Sequence, residues 1–441
     1  MTTAPGRRAT NRATTKPDRT AVLGVMLVGL TVVMLTLAGN TPSGIGRAVD
    51  PGSRVKLDER IFTCTGGIKG SVARTGDLTT GLSADLAVEA GPRRFDVDTD
   101  LAQGAFAGQQ ARTSKTLAWT PCPEPRARWW FVGAGAAAVT HDSVLTVSNP
   151  RSGAAVIDID VFGPEGVVAS PGLHGITLAA GATRSFDLAR TAPLVGNLAF
   201  RVLAKRGLVA ASVADRFALG GIGSEVDEWL PAQSLPAAEI TLAGLPAKPT
   251  TAALMVVNPG EVDAIARVKV IGATGTFAPK DLLPVTIPPK SVATVPIRTV
   301  LDGTPMALQI SASRPVTATV RSIKGGDVAF ATGVRVIRGS TAVVLPDGSG
   351  QLVLSSLRTG AGLRVATYDA AGKVLGDRTV KVPARTSVPV RLPAKARYLR
   401  LVSDRADVVG GFVIEGERGI TAAGVLPAIR SIRLPQVRPG W

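Results

Sequence analysis

Around Ile157 and again around Val268, apolar and charged residues alternate at every step. Ile157, Ile159 and Val161 flank Asp158 and Asp160, and Val268 and Val270 flank Arg267 and Lys269. A period of two with one charged face predicts half-buried antiparallel strands. Such runs are followed by GPEG (Gly163–Gly166), GATG (Gly272–Gly275) and DAAG (Asp369–Gly372). These read as hairpin turns, where glycine tolerates positive φ. Upstream of each of the first two runs stands a strand ending in Asn-Pro, LTVSNP (Leu145–Pro150) and LMVVNP (Leu254–Pro259). Proline cannot donate to a ladder and restricts the residue before it, so the phrase marks a strand end.

The two phrases begin a longer correspondence. At one constant offset, AAVIDIDVFGPEG (Ala154–Gly166) matches DAIARVKVIGATG (Asp263–Gly275), and ITLAAGATRSFDL (Ile176–Leu188) matches VTIPPKSVATVPI (Val285–Ile297). AFRVLAKRGLVAASV (Ala199–Val213) then matches ALQISASRPVTATV (Ala307–Val320) after a short deletion. A looser third copy contains GLRVATYDAAG (Gly362–Gly372), VPARTSVPVRL (Val382–Leu392) and YLRLVSDRADVVGGFV (Tyr398–Val413). Each copy is trailed by a leucine–proline step: Leu230–Pro231, Leu345–Pro346 and Leu426–Pro427. A repeat of about 100 residues with five to seven short strands predicts tandem antiparallel β-sandwiches of immunoglobulin-like type.

Composition agrees. A chain of 441 residues is too long for one core, and 49 Gly with 31 Pro favour short elements joined by turns. The expected fold class is all-β, an N-terminal transmembrane helix followed by tandem Ig-like repeats. The expected segments are a basic lead 1–20, an anchor 21–39 and a small disulfide-stapled β unit 40–128. Sandwiches at 129–232, 233–346 and 347–441 follow. The two tryptophans of RWWFV (Arg128–Val132) read as core and edge packing at the opening of the first sandwich.

The anchor is Ala21–Ala38, 18 residues without a charge. As a helix it would span about 27 Å, close to the hydrocarbon core of a bilayer. Arg7, Arg8, Arg12, Lys16 and Arg19 precede it against Asp18 alone, which keeps the N-terminus cytoplasmic and exports the remainder. The alternative is a cleaved signal peptide, with small residues at Thr36 and Ala38, giving a secreted protein. Cys64 and Cys122 both fall on the exported side, where a disulfide persists; two separate buried thiols are the other reading.

No G-x-S-x-G, H-E-x-x-H or P-loop occurs in the exported part, and Ser53–Lys56 fits S-x-x-K without its companion motifs. Asp96, Asp98 and Asp100 open like a calcium loop, but Leu101 and Ala107 stand where glycine and glutamate are required. His141 and His174, the only histidines, have no ligand spacing to a cysteine. No catalytic, cofactor or metal residue is therefore assigned. An enzyme would need converging carboxylates, with Glu225–Glu228 (EVDE) as candidates.

Charge is more informative. The net is +17, and from Val353 to Trp441 there are 15 Lys and Arg against 6 Asp and Glu. Lys381, Arg385, Arg391, Lys395, Arg397 and Arg400 form a candidate site for an anionic ligand, with simple surface solvation as the alternative. Nucleic acid is excluded by the compartment.

From about Cys122 to Ile429 the chain resembles an uncharacterised family of actinobacterial exported proteins, assigned only a domain of unknown function. The resemblance rests on WWFV (Trp129–Val132), NPRSGAAVIDIDVFGPEG (Asn149–Gly166), WLPA (Trp229–Ala232) and FAPKDLLPVTIPPKSVATVPI (Phe277–Ile297). It implies a membrane-anchored exoprotein, often encoded near a family-2 glycosyltransferase, and brings no catalytic residues. The expected function is a non-enzymatic scaffold or accessory protein of the cell envelope, partnered by a glycosyltransferase or its polysaccharide. The alternative is a module that binds anionic wall polymer through the basic C-terminal sandwich.

Overall fold

The computed structural model describes residues 54–56 and 59–433, except 78–80, 89–90, 98–103, 114, 138, 193–195, 221–223, 302, 305, 404–406, 418 and 428–430. The basic lead, the apolar run Ala21–Ala38, Ser53, Asp98 and Asp100 lie outside the described residues. Among the described residues no helix is long and apolar enough to cross a membrane. The chain divides into two units. One is formed by its ends, where Arg54–Lys56 pairs with Ser431–Arg433. The other, Lys56–Arg430, is the body considered from here on.

The body is all-β, with helix among the described residues confined to the short turns Leu188–Thr191 and Arg298–Val300. Period two translates directly into burial. In Ala155–Gly163, Ile157, Ile159 and Val161 are buried, while Asp160 faces outward to Arg201 of the neighbouring strand at 2.6 Å. In Ala264–Ile271 the same alternation leaves Arg267 and Lys269 exposed.

Three stretches share one strand order. In the first, one sheet runs Thr183–Asp187, His141–Ser148, Ala210–Ala218, Glu225–Leu230. Facing it are Gly166–Val168, Ala155–Gly163, Leu198–Arg206 and Arg128–Ala134. In the last, Ser387–Leu392, Ser349–Ser356, Val408–Gly416 and Gly419–Gly424 face Val374–Val382, Ala361–Tyr368, Tyr398–Ser403 and Gly339–Val344. The middle copy has the same order, but its two sheets are one. Where the first copy has the joint Gly207–Val209 the middle copy is one residue shorter, and the two strands run on as Ala307–Lys324, 18 residues long. Its first half pairs with Ala264–Ile271 and its second with Thr251–Asn258.

The repeated Asn-Pro phrase has a physical reason. Asn149 is buried, and its amide donates to the carbonyls of Gly153 (2.8 Å), Leu178 (3.1 Å) and Ala179 (3.0 Å). Asn258 does the same with Val262 (2.8 Å), Ile287 (3.0 Å) and Pro288 (3.2 Å). In both copies the side-chain oxygen accepts the N–H two residues on, from Arg151 and Gly260. One amide thus ties a turn to a strand end that is distant in sequence and satisfies carbonyls that would otherwise be orphaned. The third copy has Ser356 at this place, donating to Thr359 O at 2.6 Å.

Separate modules strung in a line would each keep their own core. Here the cores merge. Val328 and Phe330 of the middle sandwich sit in the core cluster of the first. Trp130 and Phe162 of the first pack with Met255 and Val292 of the middle, and Ala329 of the middle packs with Val413 and Ile420 of the last. The N-terminal unit, built on Arg60–Cys64 and the sheet ending in Leu117–Pro121, touches both ends of the series. Its Ala111 and Ala118 pack on Trp229 of the first sandwich, and its Phe106 and Trp119 enter the core of the last. The four units therefore close into a ring.

Leu117–Pro121 is the edge of its sheet, and this edge is buried by the ring. Its outward N–H groups are accepted by carboxylates of other units. Asp327 Oδ2 takes Leu117 N (3.2 Å) and also Ile420 N (2.9 Å), and Glu228 Oε1 takes Trp119 N (2.9 Å). Gly419, at φ 152°, approaches so closely that a Cβ there would overlap Asp327 Oδ2. Burial drives the Asp327 carboxyl up to about 7, against the pull of three backbone N–H groups, and drives Glu228 well above the usual carboxylate range. A second junction opposes this. Asp347 accepts Arg74 (3.0 Å), Arg112 (3.0 Å) and Arg397 (2.9 Å). Burial alone would raise Asp347, but the bond and charge of Arg74, with the charge of Arg397, bring it below its ordinary value.

Two outcomes are expected. Asn258→Ala removes the three donated bonds and the one accepted bond of a buried amide and should cost about 2–3 kcal/mol in urea unfolding; a cost below about 0.5 kcal/mol would refute the tie. Asp327, raised on folding, holds a proton between about pH 4 and pH 7 that the unfolded chain has released, so its contribution to stability declines as pH rises through that window. Tm should fall with pH there more steeply in the natural protein than in Asp327→Asn. Equal slopes would remove Asp327 as the source.

Candidate functional site

Cys64 and Cys122 form the expected disulfide, with Cα atoms 4.6 Å apart. The crosslink closes a 58-residue separation and joins the strand Arg60–Cys64 to the segment after Leu117–Pro121. In the chain-entropy view such a loop contributes roughly 4 kcal/mol.

The six basic residues of the last sandwich are divided. Lys381 is exposed on one sheet and Arg391 on the other, while Lys395 stands on a turn. Arg385, at φ 58°, occupies the turn position held by Lys290 (φ 53°) and Gly181 (φ 69°) in the sister copies. Arg397 is taken up by Asp347, and Arg400 donates to Ser340 Oγ at 3.0 Å. Four of the six thus stay exposed, and Arg397 and Arg400 are engaged by neighbouring side chains.

The other sequence candidates resolve locally. Asp96 pairs with Arg94 at 2.7 Å, and among the described residues no group of acids, histidines and cysteines is placed to hold a metal ion. His141 Nε2 contacts both oxygens of Asp215 (3.0 and 3.1 Å), but Ser143 also bonds to Asp215 and not to the histidine, so no nucleophile faces a base. In EVDE, Glu225 is exposed, Asp227 pairs with Arg216 at 3.1 Å, and Glu228 is buried in the ring seam. None of the three lines the cavity where the units meet.

A cavity of about 590 Å³ lies where the four units meet. One side comes from the N-terminal unit: Arg60 and Phe62, Phe106, and the run from Trp119 to Glu124. The first sandwich brings Arg126, Trp129 and Leu230, the middle one Thr332 and Arg335, and the last Val344 and Gly424. Two of the leucine–proline steps, Leu230–Pro231 and Leu426–Pro427, also line it. Those joints thus frame a site instead of serving as spacers.

The charges in this cavity are unbalanced. Four arginines (Arg60, Arg126, Arg128 and Arg335) face a single carboxylate, Glu124. Arg60 is buried and grips Glu124 through two bonds, 2.6 and 3.2 Å, while its other nitrogen donates to Ala105 O at 2.7 Å. Arg126 is held by its backbone, which exchanges N–H···O bonds of 2.9 and 3.1 Å with Val209. Its guanidinium lies 4.9 Å over the Trp129 ring, and its Nε has no hydrogen-bond partner. Burial pulls this guanidinium below the usual arginine value; Glu124 opposes the shift and Arg335 adds to it. The Trp119 indole N–H and Gln233 Oε1, both on buried residues of the wall, also lack partners.

Sequence reasoning missed this site because its residues come from four units and linkers that look unrelated. The one local signal was the stretch Trp119–Trp130, WTPCPEPRARWW, which concentrates three tryptophans and two of the cavity arginines.

Glu124→Gln removes the charge from the carboxylate that the buried Arg60 grips and should cost about 3 kcal/mol in denaturant unfolding. No loss would mean that Arg60 is neutralised elsewhere.

A family model described as "Family of unknown function (DUF5719)" matches residues 93–393. No curated protein matches the chain.

Proposed function

The chain belongs to that family of unknown function, most of its length being covered by the match, and from this premise we propose that it holds a partner molecule without transforming it. In this reading it is an exported, membrane-anchored scaffold or accessory subunit of the cell envelope, and its Ig-like sandwiches form a frame around a ligand. The observation that carries the reading is the cavity at the meeting of the four units. It has aromatic walls and a cationic excess, and no histidine or nucleophile–base pair stands among its lining residues. Such a wall is suited to binding. A disulfide fits an oxidising compartment, and the basic lead with its uncharged run fits an anchor. The resemblance to exported proteins encoded near a family-2 glycosyltransferase supports polysaccharide assembly as the setting.

A second reading, attachment to anionic wall polymer, draws on Lys381, Arg385, Arg391 and Lys395. They are exposed, and none has an acidic partner within salt-bridge distance among the described residues.

In-cell crosslinking of the tagged protein, followed by mass spectrometry and glycan analysis, separates the two. Stoichiometric capture of a membrane glycosyltransferase is the expected result for the scaffold. Wall polymer alone, released by salt and lost in an Arg391→Glu, Lys395→Glu double variant, would transfer support to the second reading. Recovery of the protein solely from the cytoplasmic fraction would overturn both.

A further inference from the structure

We propose that the central cavity binds an amphiphilic anion: a carboxylate or phosphate held by Arg126 with help from Arg335, its flat or hydrocarbon body lying on Trp119 and Trp129. The inference rests on reading the protein as one that holds a ligand, and it names the ligand's chemistry.

The first support is an uncompensated cation. Arg126 is placed on the wall by the pairing of its backbone with Val209, and its guanidinium packs on the Trp129 ring. The one carboxylate in the wall, Glu124, is engaged by both ends of the Arg60 fork. Arg126 is left with the face of Trp129 as its nearest favourable contact and with an Nε that bonds nothing. Arg126 is half-buried, and a partly desolvated charge with an unbonded Nε is costly; Arg335 nearby raises that cost, and Glu124 offsets only part of it. An anion between the two guanidinium groups removes both penalties, and the arginine fork matches carboxylate and phosphate oxygens.

A second, independent support is the pair of unmatched neutral groups. Trp119 is 1% exposed and its Nε1–H has no acceptor; Gln233 is 5% exposed and its Oε1 has no donor. Both residues line the cavity. Both groups are closed off from solvent in the ligand-free chain, so a ligand's oxygen or hydroxyl meets them only once the wall shifts slightly. Much of the remaining wall is apolar, with Phe62, Phe106 and Leu230 beside the hydroxyls of Thr120, Ser212 and Thr332, and an ion small and polar throughout would leave that apolar part uncovered. A volume of about 590 Å³ accommodates a headgroup together with a ring system or short chain. A cationic ligand is opposed by the four arginines.

The test uses the full chain in a neutral detergent, titrated calorimetrically with 1-naphthyl phosphate, 1-naphthoate and the uncharged 1-naphthalenemethanol. The expected result is one site per chain for at least one anion, with the alcohol at least 10-fold weaker. A tighter phosphate identifies a phosphorylated ligand and a tighter naphthoate a carboxylic acid. Arg126→Met keeps the apolar stem and should weaken the anion about 10- to 100-fold. It should also leave the ligand-free Tm unchanged or higher, since it removes an uncompensated charge. Because Arg335 is exposed, Arg335→Met provides a variant that keeps the fold and should weaken the same anion several-fold. Equal binding of the alcohol, or anion binding untouched by both substitutions, overturns the proposal, as does absence of binding by all three probes. That failure leaves capture of a transferase by the outer sheets standing as a separate result, so the two readings fall independently.

Discussion

The N–H groups of Leu117 and Trp119 lie on the outer edge of a strand that three other units cover, and Asp327 and Glu228 accept them. Everything about the closed ring depends on this exchange. A bare strand edge is tolerable in water, where solvent takes its hydrogen bonds, and intolerable in an interior. The chain meets the constraint by lending an acid from each of two sandwiches. Asp327 accepts from the last sandwich as well, through Ile420, so one carboxylate stitches three units at one point. The acids carry the cost of this position as a raised affinity for protons, which places the seam among the few parts of the molecule sensitive to mild changes of pH.

Closure is also what creates the cavity. Four convex units packed in a ring do not fill the centre, and the linkers that turn the chain from one unit to the next are left facing it. The side chains on those linkers come from places with no symmetry relation, and their chemistry is correspondingly irregular. An arginine with a partner (Arg60) sits beside one without (Arg126), and a tryptophan bonded to a backbone carbonyl (Trp129) sits near one whose N–H is idle (Trp119). Packing alone would have selected matched or apolar groups.

The legible part of this molecule was the part written locally. Alternation at Ile157–Val161 and Val268–Val270 foretold strands, and the Asn-Pro phrase foretold a shared strand end, because both depend on neighbours in sequence. The cysteine pairing followed from two residues and a compartment. What escaped was the contact between first and last. Nothing in Phe106 or Trp119 announces that they enter a core built from Tyr398 and Phe412, about three hundred positions on. In the arginine-rich third copy Arg397 is spent on Asp347 and Arg400 on Ser340, while Lys381, Arg385, Arg391 and Lys395 stay exposed. Density of charge along the chain says little about convergence in space when successive strands belong to opposite sheets.

The fused strand Ala307–Lys324 has one more consequence. In the first copy the corresponding segments are separate strands with Gly207 between them at φ 76°, so the two layers can slide a little by bending at that joint. In the middle copy a shear of one layer against the other would have to deform a continuous, hydrogen-bonded backbone. The central sandwich, which touches both of its sisters, is therefore the stiff spar of the ring.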